Sequence, residues 1–274
     1  GRAPGEFFGP RGLAYLRDGN MVAADRDNHR VQRVTSDGEV VWCVGSKGSG
    51  EGQFNYPTDV AVTAEGKIYV TDFFNHRIVE LDARDGSWVR CFGRQGKGAG
   101  EFDCPTGIAC GPGGTLVVAE WGNDRVQVLD ATGACLRFFG SPGSGAGQLD
   151  CPWGVAVTAA SDIVVCDRDN HRLAVFTWDG AWKRSVGGQG SAEGQFQYPM
   201  FVAVDGAGHL LVSDGDNHRI QEFDAAYGFV RSLGREGSGA GELKHPMGVA
   251  VDAAGNVAVA EAGNPRVQVF ARAA

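Results

Sequence analysis

The sequence predicts an all-β protein, a six-bladed β-propeller of antiparallel four-stranded blades, and three observations carry that expectation. Pro10, Pro57, Pro105, Pro152, Pro199 and Pro246 recur every 47 residues, with one step of 48, each following a Gly, an acid or Gln, and an apolar residue, as in Gly52-Gln53-Phe54. An Asn-x-Arg turn places Arg30, Arg77, Arg125, Arg172, Arg219 and Arg266 at the same intervals, so register holds at two points of every unit. Within a unit the apolar residues alternate with the strand period of two, and no stretch sustains the 3.6-residue period of a helix. Units of this length stack because none can bury its faces alone.

The unit at Pro57 gives the elements in order. Val60-Ala61-Val62 reads as the first strand, Lys67-Ile68-Tyr69-Val70 as the second, Arg77-Ile78-Val79-Glu80-Leu81 as the third and Ser87-Trp88-Val89-Arg90-Cys91-Phe92 as the fourth. Glu65-Gly66, Asn75-His76 and Asp85-Gly86 separate them, and Gly or Asn steps suit tight hairpins. Four antiparallel strands repeated about an axis make a propeller, with blades starting near residues 10, 57, 105, 152, 199 and 246 of a single domain, 1–274. The sixth unit stops after its third strand, near Phe270, and Gly1 aligns with Gly48, just past a fourth strand. The last blade is therefore expected to lack its outer strand, and an open edge invites association. Because the chain also begins in mid-pattern, it reads as a domain excised from a longer multidomain protein.

Composition narrows the partners. Glycine supplies 43 of 274 residues and proline only 10, six of them the repeat prolines, so the glycine is turn chemistry rather than low complexity. A formal charge of -8 argues against a protein that coats nucleic acid through bulk electrostatics. No signal peptide or transmembrane run stands out. The seven cysteines follow the repeat: Cys43 and Cys91 share a strand position, Cys104 and Cys151 precede the repeat proline, and Cys110, Cys135 and Cys166 fall in strands. With no Cys-x-x-Cys step, they read as reduced, packing residues of an intracellular, cytoplasmic protein with no cofactor.

The pattern Gly52-Gln53-Phe54-x-x-Pro57-x-x-Val60-Ala61-Val62, then Val70-x-Asp72-x-x-Asn75-His76-Arg77-Ile78, with its five relatives, resembles the NHL repeat, and the whole chain looks like the C-terminal propeller of TRIM-NHL proteins. That resemblance implies a six-bladed ring and recognition of RNA or protein. It also implies a segment upstream of Gly1 that supplies the missing strand and clasps the last blade to the first. The RING-type module sometimes joined to such propellers has no counterpart in this sequence, so ubiquitin-ligase activity would lie outside it. Asp124 and Pro265 depart from His in the turn, and Glu120 and Glu261 from Asp.

Polar residues that recur in every unit read as scaffold. Asp25 and Arg30, Asp72 and Arg77, Glu120 and Arg125, Asp167 and Arg172, Asp214 and Arg219, and Glu261 and Arg266 bracket the same turn, where opposed carboxylate and guanidinium groups close a hairpin. His29, His76, His171 and His218 each belong to a different blade and are spread around the ring, too far apart for one metal. Phe7, Phe54, Phe102, Leu149, Phe196 and Leu243 read as wedges between blades, and Trp42, Trp88 and Trp182 as half-buried residues of fourth strands. A lyase or hydrolase with a metal in the channel needs His or carboxylate ligands on several inner strands. The positions taken as the channel mouth hold Gly12, Asp59, Gly107, Gly154, Phe201 and Gly248, with one carboxylate among them. No catalytic or metal residue is assigned, and the chain is read as a non-enzyme.

The loops from strand four to the next strand one, and from strand two to strand three, emerge on one face, and there the repeats differ. Phe73, Phe74, Trp121, Trp153, Tyr198, Met200, Phe201 and Met247, with Arg11, Arg26 and Arg168, form the expected ligand-binding face. Exposed aromatic residues on a rigid face bury area with little entropy loss. The plainer reading has Trp153 and Phe201 plugging the channel, with Tyr56 and Tyr198 packed between blades. Two partners fit the face. A protein or peptide would use the aromatic and Met anchors with an Arg rim. Single-stranded RNA would stack bases on Phe73, Trp121 or Trp153 and meet Arg11, Arg26, Arg94 or Arg168 with its phosphates. The same loops carry Asp27, Glu51, Asp103, Asp124, Asp150, Asp169 and Asp216 and no continuous basic stripe, which favours a protein partner over RNA; no membrane contact is expected.

Overall fold

The computed structural model describes residues 1–272. Its 23 strands form six antiparallel sheets in simple up-and-down order, five of four strands and one of three. The first blade is β1 (Pro10–Tyr15), β2 (Met21–Asp25), β3 (Arg30–Val34) and β4 (Val40–Val44), and the second is β5 (Pro57–Val62), β6 (Lys67–Asp72), β7 (Arg77–Asp82) and β8 (Trp88–Phe92). The inner strands of the others are β9 (Pro105–Cys110), β13 (Pro152–Val157), β17 (Pro199–Val204) and β21 (Pro246–Val251). β1 packs against both β5 and β21, so the six inner strands close a ring. The sixth blade ends with β22 (Val257–Glu261) and β23 (Arg266–Phe270), and β23 borders a groove of about 460 Å³ whose far side includes Phe7, Met21 and Val34 of the first blade.

Every inner strand begins at a repeat proline. The first position of a strand tolerates a residue without an N–H, and an irregularity in the register follows it, between Pro57 and Val60 in the second blade. Helix is confined to four single turns of 3-10 geometry among the described residues. No helix is long and apolar enough to cross a membrane.

The wedge positions hold the blades together. Phe54, Phe102, Leu149, Phe196 and Leu243 are wholly buried, and Phe54 packs between Val22 and Ala24 of one blade and Val60 and Ile68 of the next. Each such side chain contributes about 1.5–3 kcal/mol of burial.

The repeated acid and arginine also form a clasp. All six pairs face each other across the second hairpin, with Nε to carboxylate distances of 2.6–2.8 Å. In the second blade, Arg77 also donates to the carbonyls of Ser49, Gly50 and Gln53, Asn75 donates to Asp72 and to the Gly48 carbonyl, and the Asn55 amide donates to Asp72. One carboxylate therefore organises its own turn and the incoming loop from the preceding blade. Burial still pushes the Asp72, Asp167 and Asp214 carboxyls above the usual carboxylate range, outweighing the hydrogen bonds and guanidinium partners that pull them down.

The histidine of the turn has a use that its spacing did not disclose. His29, His76, His171 and His218 sit in the left-handed region, at φ 53–56°, and each Nδ1 accepts the amide N–H of the residue before the next blade's proline, at 3.1 Å. Asp124 departs from histidine but keeps the function, because its Oδ1 accepts from the Cys151 amide at 2.8 Å. Pro265 has no such acceptor on its side chain, so this link is missing from the junction between the sixth blade and the first.

Candidate functional site

The inner strands all start on the face where the second hairpins also turn, and a cavity of about 340 Å³ opens there at the end of the channel. Its walls include Arg11, Trp153, Met200 and Met247, which occupy the same position, the first after the repeat proline, in blades one, four, five and six. Thr58 and Thr106 hold that position in blades two and three and are fully buried, with Thr106 donating to the Ala119 and Pro152 carbonyls. The channel mouth is thus built from the first residue after each proline. The repeat spacing points instead to the second, one residue too deep in the ring.

That second position forms a layer deeper in the ring, where Gly12, Gly107, Gly154 and Gly248 let adjacent inner strands approach closely. A Cβ on Gly154 would lie 2.6 Å from the Phe201 Cα. Phe201 and Asp59 fill the space that those glycines leave, and both line the opening at the opposite end of the channel. Phe201 therefore does not belong to the loop face; it plugs the channel. Asp59 Oδ1 and Oδ2 accept the Val60 and Ile108 amides, both at 2.9 Å, yet burial pushes its carboxyl up to about 8. A carboxyl that keeps its proton at neutral pH is a poor cation ligand.

Of the other residues assigned to the loop face, the structure brings Arg11, Trp153, Arg168, Tyr198, Met200 and Met247 together around the cavity. Phe73, Trp153, Met200 and Met247 are buried rather than exposed, because they share a core cluster beneath the loops. Phe74 and Trp121 are the solvent-facing aromatics of the set, 48% and 38% exposed, and both pack on Phe73, with ring centroids 4.8 and 6.1 Å away. Tyr198 lies under the Arg168 guanidinium at 4.9 Å and against His171 at 4.5 Å, and Tyr56 repeats the arrangement with Arg26 and His29, at 4.5 Å each. The tyrosines do pack between blades, and they do so as parts of the rim.

Charge around the cavity is mostly neutralised in place. Arg26 pairs with Asp27 at 2.8 Å, Arg168 with Asp169 at 2.6 Å and Arg94 with Glu101 at 2.8 Å. Arg11 differs. Its Nη1 finds the Met247 Sδ at 3.1 Å and no carboxylate, its Nε is buried without a partner as are those of Arg26 and Arg168, and its Cζ lies 6.0 Å from the Trp153 ring centroid. Burial, with repulsion from Arg26 and Arg168, lowers its pKa to about 10 although Asp27 pulls the other way. The Trp153 indole N–H is also buried without an acceptor. Asp216, one of the acids expected on these loops, also lines the wall, together with His245, whose pre-proline position marks it in the sequence as an ordinary member of the repeat.

Two groups of possible metal donors occur among the described residues, His76, Asp103 and Cys104 in one and Asp124, Asp150 and Cys151 in the other. They are the same site in successive blades. His76 and Asp124 already accept the amides of Cys104 and Cys151, and burial pushes both thiols up to about 12, away from the thiolate that binds metal. All seven cysteines are free.

Comparison with known proteins places this geometry. A probable peptidyl-alpha-hydroxyglycine alpha-amidating lyase of Caenorhabditis elegans is 34% identical over 85 residues, 29% of this chain and 24% of that protein. NHL repeat-containing protein 3 of Mus musculus is 32% identical over 85 residues, 30% of this chain and 24% of that protein. The chain thus matches only about a quarter of the length of these curated relatives. Among solved structures, a gluconolactonase of Xanthomonas campestris superposes with a TM-score of 0.71 at 16% identity, over 97% of this chain and 86% of that one, a likeness of fold alone. The model of the NHL repeat matches residues 7–34, 54–81, 102–129, 149–176 and 196–223, which together make up half of the sequence. These segments coincide with the wedge residue, the inner strand and the clasp of five blades, and the chain belongs to the NHL repeat family.

Proposed function

We infer that the propeller is a recognition scaffold that holds a protein or peptide partner on the loop face. The observation that carries this reading is the cavity at the channel mouth, where Trp153, Tyr198, Met200 and Met247 supply apolar wall beside Arg11, Asp216 and His245, and where Arg26 and Arg168 at the rim are each neutralised by the next residue, an aspartate. Apolar anchors inside a polar rim are the usual anatomy of a protein interface. A polyanion gains less there, because Arg26, Arg94 and Arg168 already have carboxylates in contact and Asp216 lines the wall. Single-stranded RNA is therefore the weaker partner on this surface. The test pans a display library of random peptides against the propeller and repeats the selection with Tyr198→Ala and Arg168→Ala in the cavity wall, alongside anisotropy of a labelled RNA pool at about 50 and about 200 mM salt. Peptides enriched on the parent and lost on the variants are expected. RNA binding that weakens steeply with salt, with no peptide enriched, would replace this reading.

A second reading, catalysis at the same mouth, draws on the lyase and gluconolactonase likenesses. Incubation with a peptidyl-α-hydroxyglycine and with an aldonolactone checks it, and turnover lost in Arg11→Met would favour it over simple recognition.

A further inference from the structure

We propose that Arg11 and Trp153 form a carboxylate-binding pocket at the channel mouth, which receives one carboxylate borne on an apolar stem. This deepens the peptide-recognition reading and rests on it. Around this mouth the Nε atoms of Arg11, Arg26 and Arg168 and the indole N–H of Trp153 are all buried without an acceptor, and of the three arginines Arg11 alone has no carboxylate in contact. Arg11 lines the cavity with its Nε unpartnered and a thioether sulfur as its hydrogen-bond contact, and the Trp153 indole N–H in the same wall is buried without an acceptor. A buried donor left unmade costs free energy, more so when it carries charge, and native interiors seldom keep one without a use.

The clasp arginines show what this protein does when a guanidinium is purely structural. Arg125, which is more deeply buried, has Glu120 at 2.6 Å and the carbonyls of Lys97, Gly98 and Glu101 as acceptors. Arg11 has none of these. It also stands where repulsion from Arg26 and Arg168 is felt, so an anion arriving at the mouth would relieve repulsion among three cations, two of them only locally compensated. A carboxylate, with two coplanar acceptor oxygens, opposite charge and no donors of its own, satisfies both Arg11 and an indole N–H.

Size and surroundings restrict the bearer of that carboxylate. About 340 Å³ walled by Tyr198, Met200, Met247 and Ala262 accommodates roughly one amino-acid residue with apolar flesh. Asp27, Asp169 and Asp216 at the rim oppose a chain of anions but tolerate a single one that passes beneath them. Either the C-terminal carboxylate of a peptide or an acidic side chain within one supplies the chemistry.

The test follows the indole and arginine Nε resonances of the whole propeller by nuclear magnetic resonance while three probes are added. They are acetyl-Ala-Ala-Leu with a free carboxylate, the same peptide as its amide, and acetyl-Ala-Ala-Glu-Ala-Ala-amide. The expected result is saturable shifts of the Trp153 and Arg11 signals with at least one carboxylate probe, about tenfold tighter than with the amide. Arg11→Met should abolish that preference, and Trp153→Phe, which keeps a ring but removes the N–H, should reduce it in a protein that still folds. Preference for the first probe assigns a chain terminus, and preference for the third an acidic side chain. Equal binding of acid and amide overturns the carboxylate pocket while leaving peptide recognition standing. Inorganic phosphate that produces the same shifts as tightly overturns it in favour of a general anion site. No shift with any probe also overturns it, and the display selection judges peptide recognition separately.

Discussion

Arg77 and Arg11 are both largely withdrawn from water, yet their surroundings are opposites. Arg77 meets the Asp72 carboxylate and three backbone carbonyls, an arrangement with the same carboxylate pairing in every blade. Arg11 occurs in one blade only, at a position held elsewhere by Thr, Trp or Met, and its surroundings supply no carboxylate contact. The difference separates what a repeat uses to fold from what a single blade keeps for another purpose. A residue present six times with its guanidinium on a carboxylate each time is architecture. A residue that breaks the pattern and leaves its donors unsatisfied makes folding harder and needs a reason outside folding.

Breaking the clasp should give the largest effect. Arg77→Ala strands a fully buried carboxylate and removes the donors to Ser49, Gly50 and Gln53, and removing one partner of such a pair costs about 3–5 kcal/mol. Urea unfolding would register it as a fall in midpoint. A loss below about 1 kcal/mol would show that the clasp is no stronger than a surface ion pair.

Asp59 sharpens the comparison through pH. Its folded-state pKa, about 8, is raised above the ordinary 3.8, so the stability it contributes is complete below about 4 and is lost as pH rises towards 8. The parent should therefore lose stability relative to Asp59→Gly, the residue of four other blades, as unfolding is measured at increasing pH across that window. A difference that stays flat would mean that the channel carboxyl is ionised at neutral pH.

Arg11→Met should act in the opposite direction from Arg77→Ala. Replacing a charge that lacks a carboxylate partner by an apolar side chain is expected to leave the propeller as stable as before or to stabilise it by about 1 kcal/mol, read in the same urea experiment. Destabilisation by more than about 1 kcal/mol would make Arg11 part of the scaffold and remove the contrast with the clasp.

How much of this was legible in the sequence follows the same division. The strand order, the inner prolines, the wedges and the clasp pairs each occur five or six times, so an irregularity in one unit could not hide the rule. The mouth had no such help. Trp153, Met200 and Met247 are conspicuous only as departures, and their depth below the loops depends on how closely β13, β17 and β21 approach at the ring. Phe201 fits both the loop face and the channel plug in sequence for that reason, and the plug is where it lies, since one residue along a strand turns a side chain away from the mouth. Sequence likewise gave no sign that Arg26 and Arg168 are paired with adjacent aspartates while Arg11 is not.

The smallest expected effect lies in the links between blades. His29 accepts the Tyr56 amide through Nδ1, which requires the neutral ring with its proton on Nε2. Burial, with a contribution from Lys47, lowers its pKa below 6.5, so the stability it contributes is present above that value and is lost as pH falls. His29→Ala should cost about 1 kcal/mol at pH 8, the worth of one hydrogen bond, and the difference from the parent should shrink as pH falls below 6.5. The junction at Pro265 lacks the link from its side chain, so a histidine introduced there gives the complementary measurement. If Pro265→His raises stability at pH 8 but not at pH 5, the link is a transferable part of the blade.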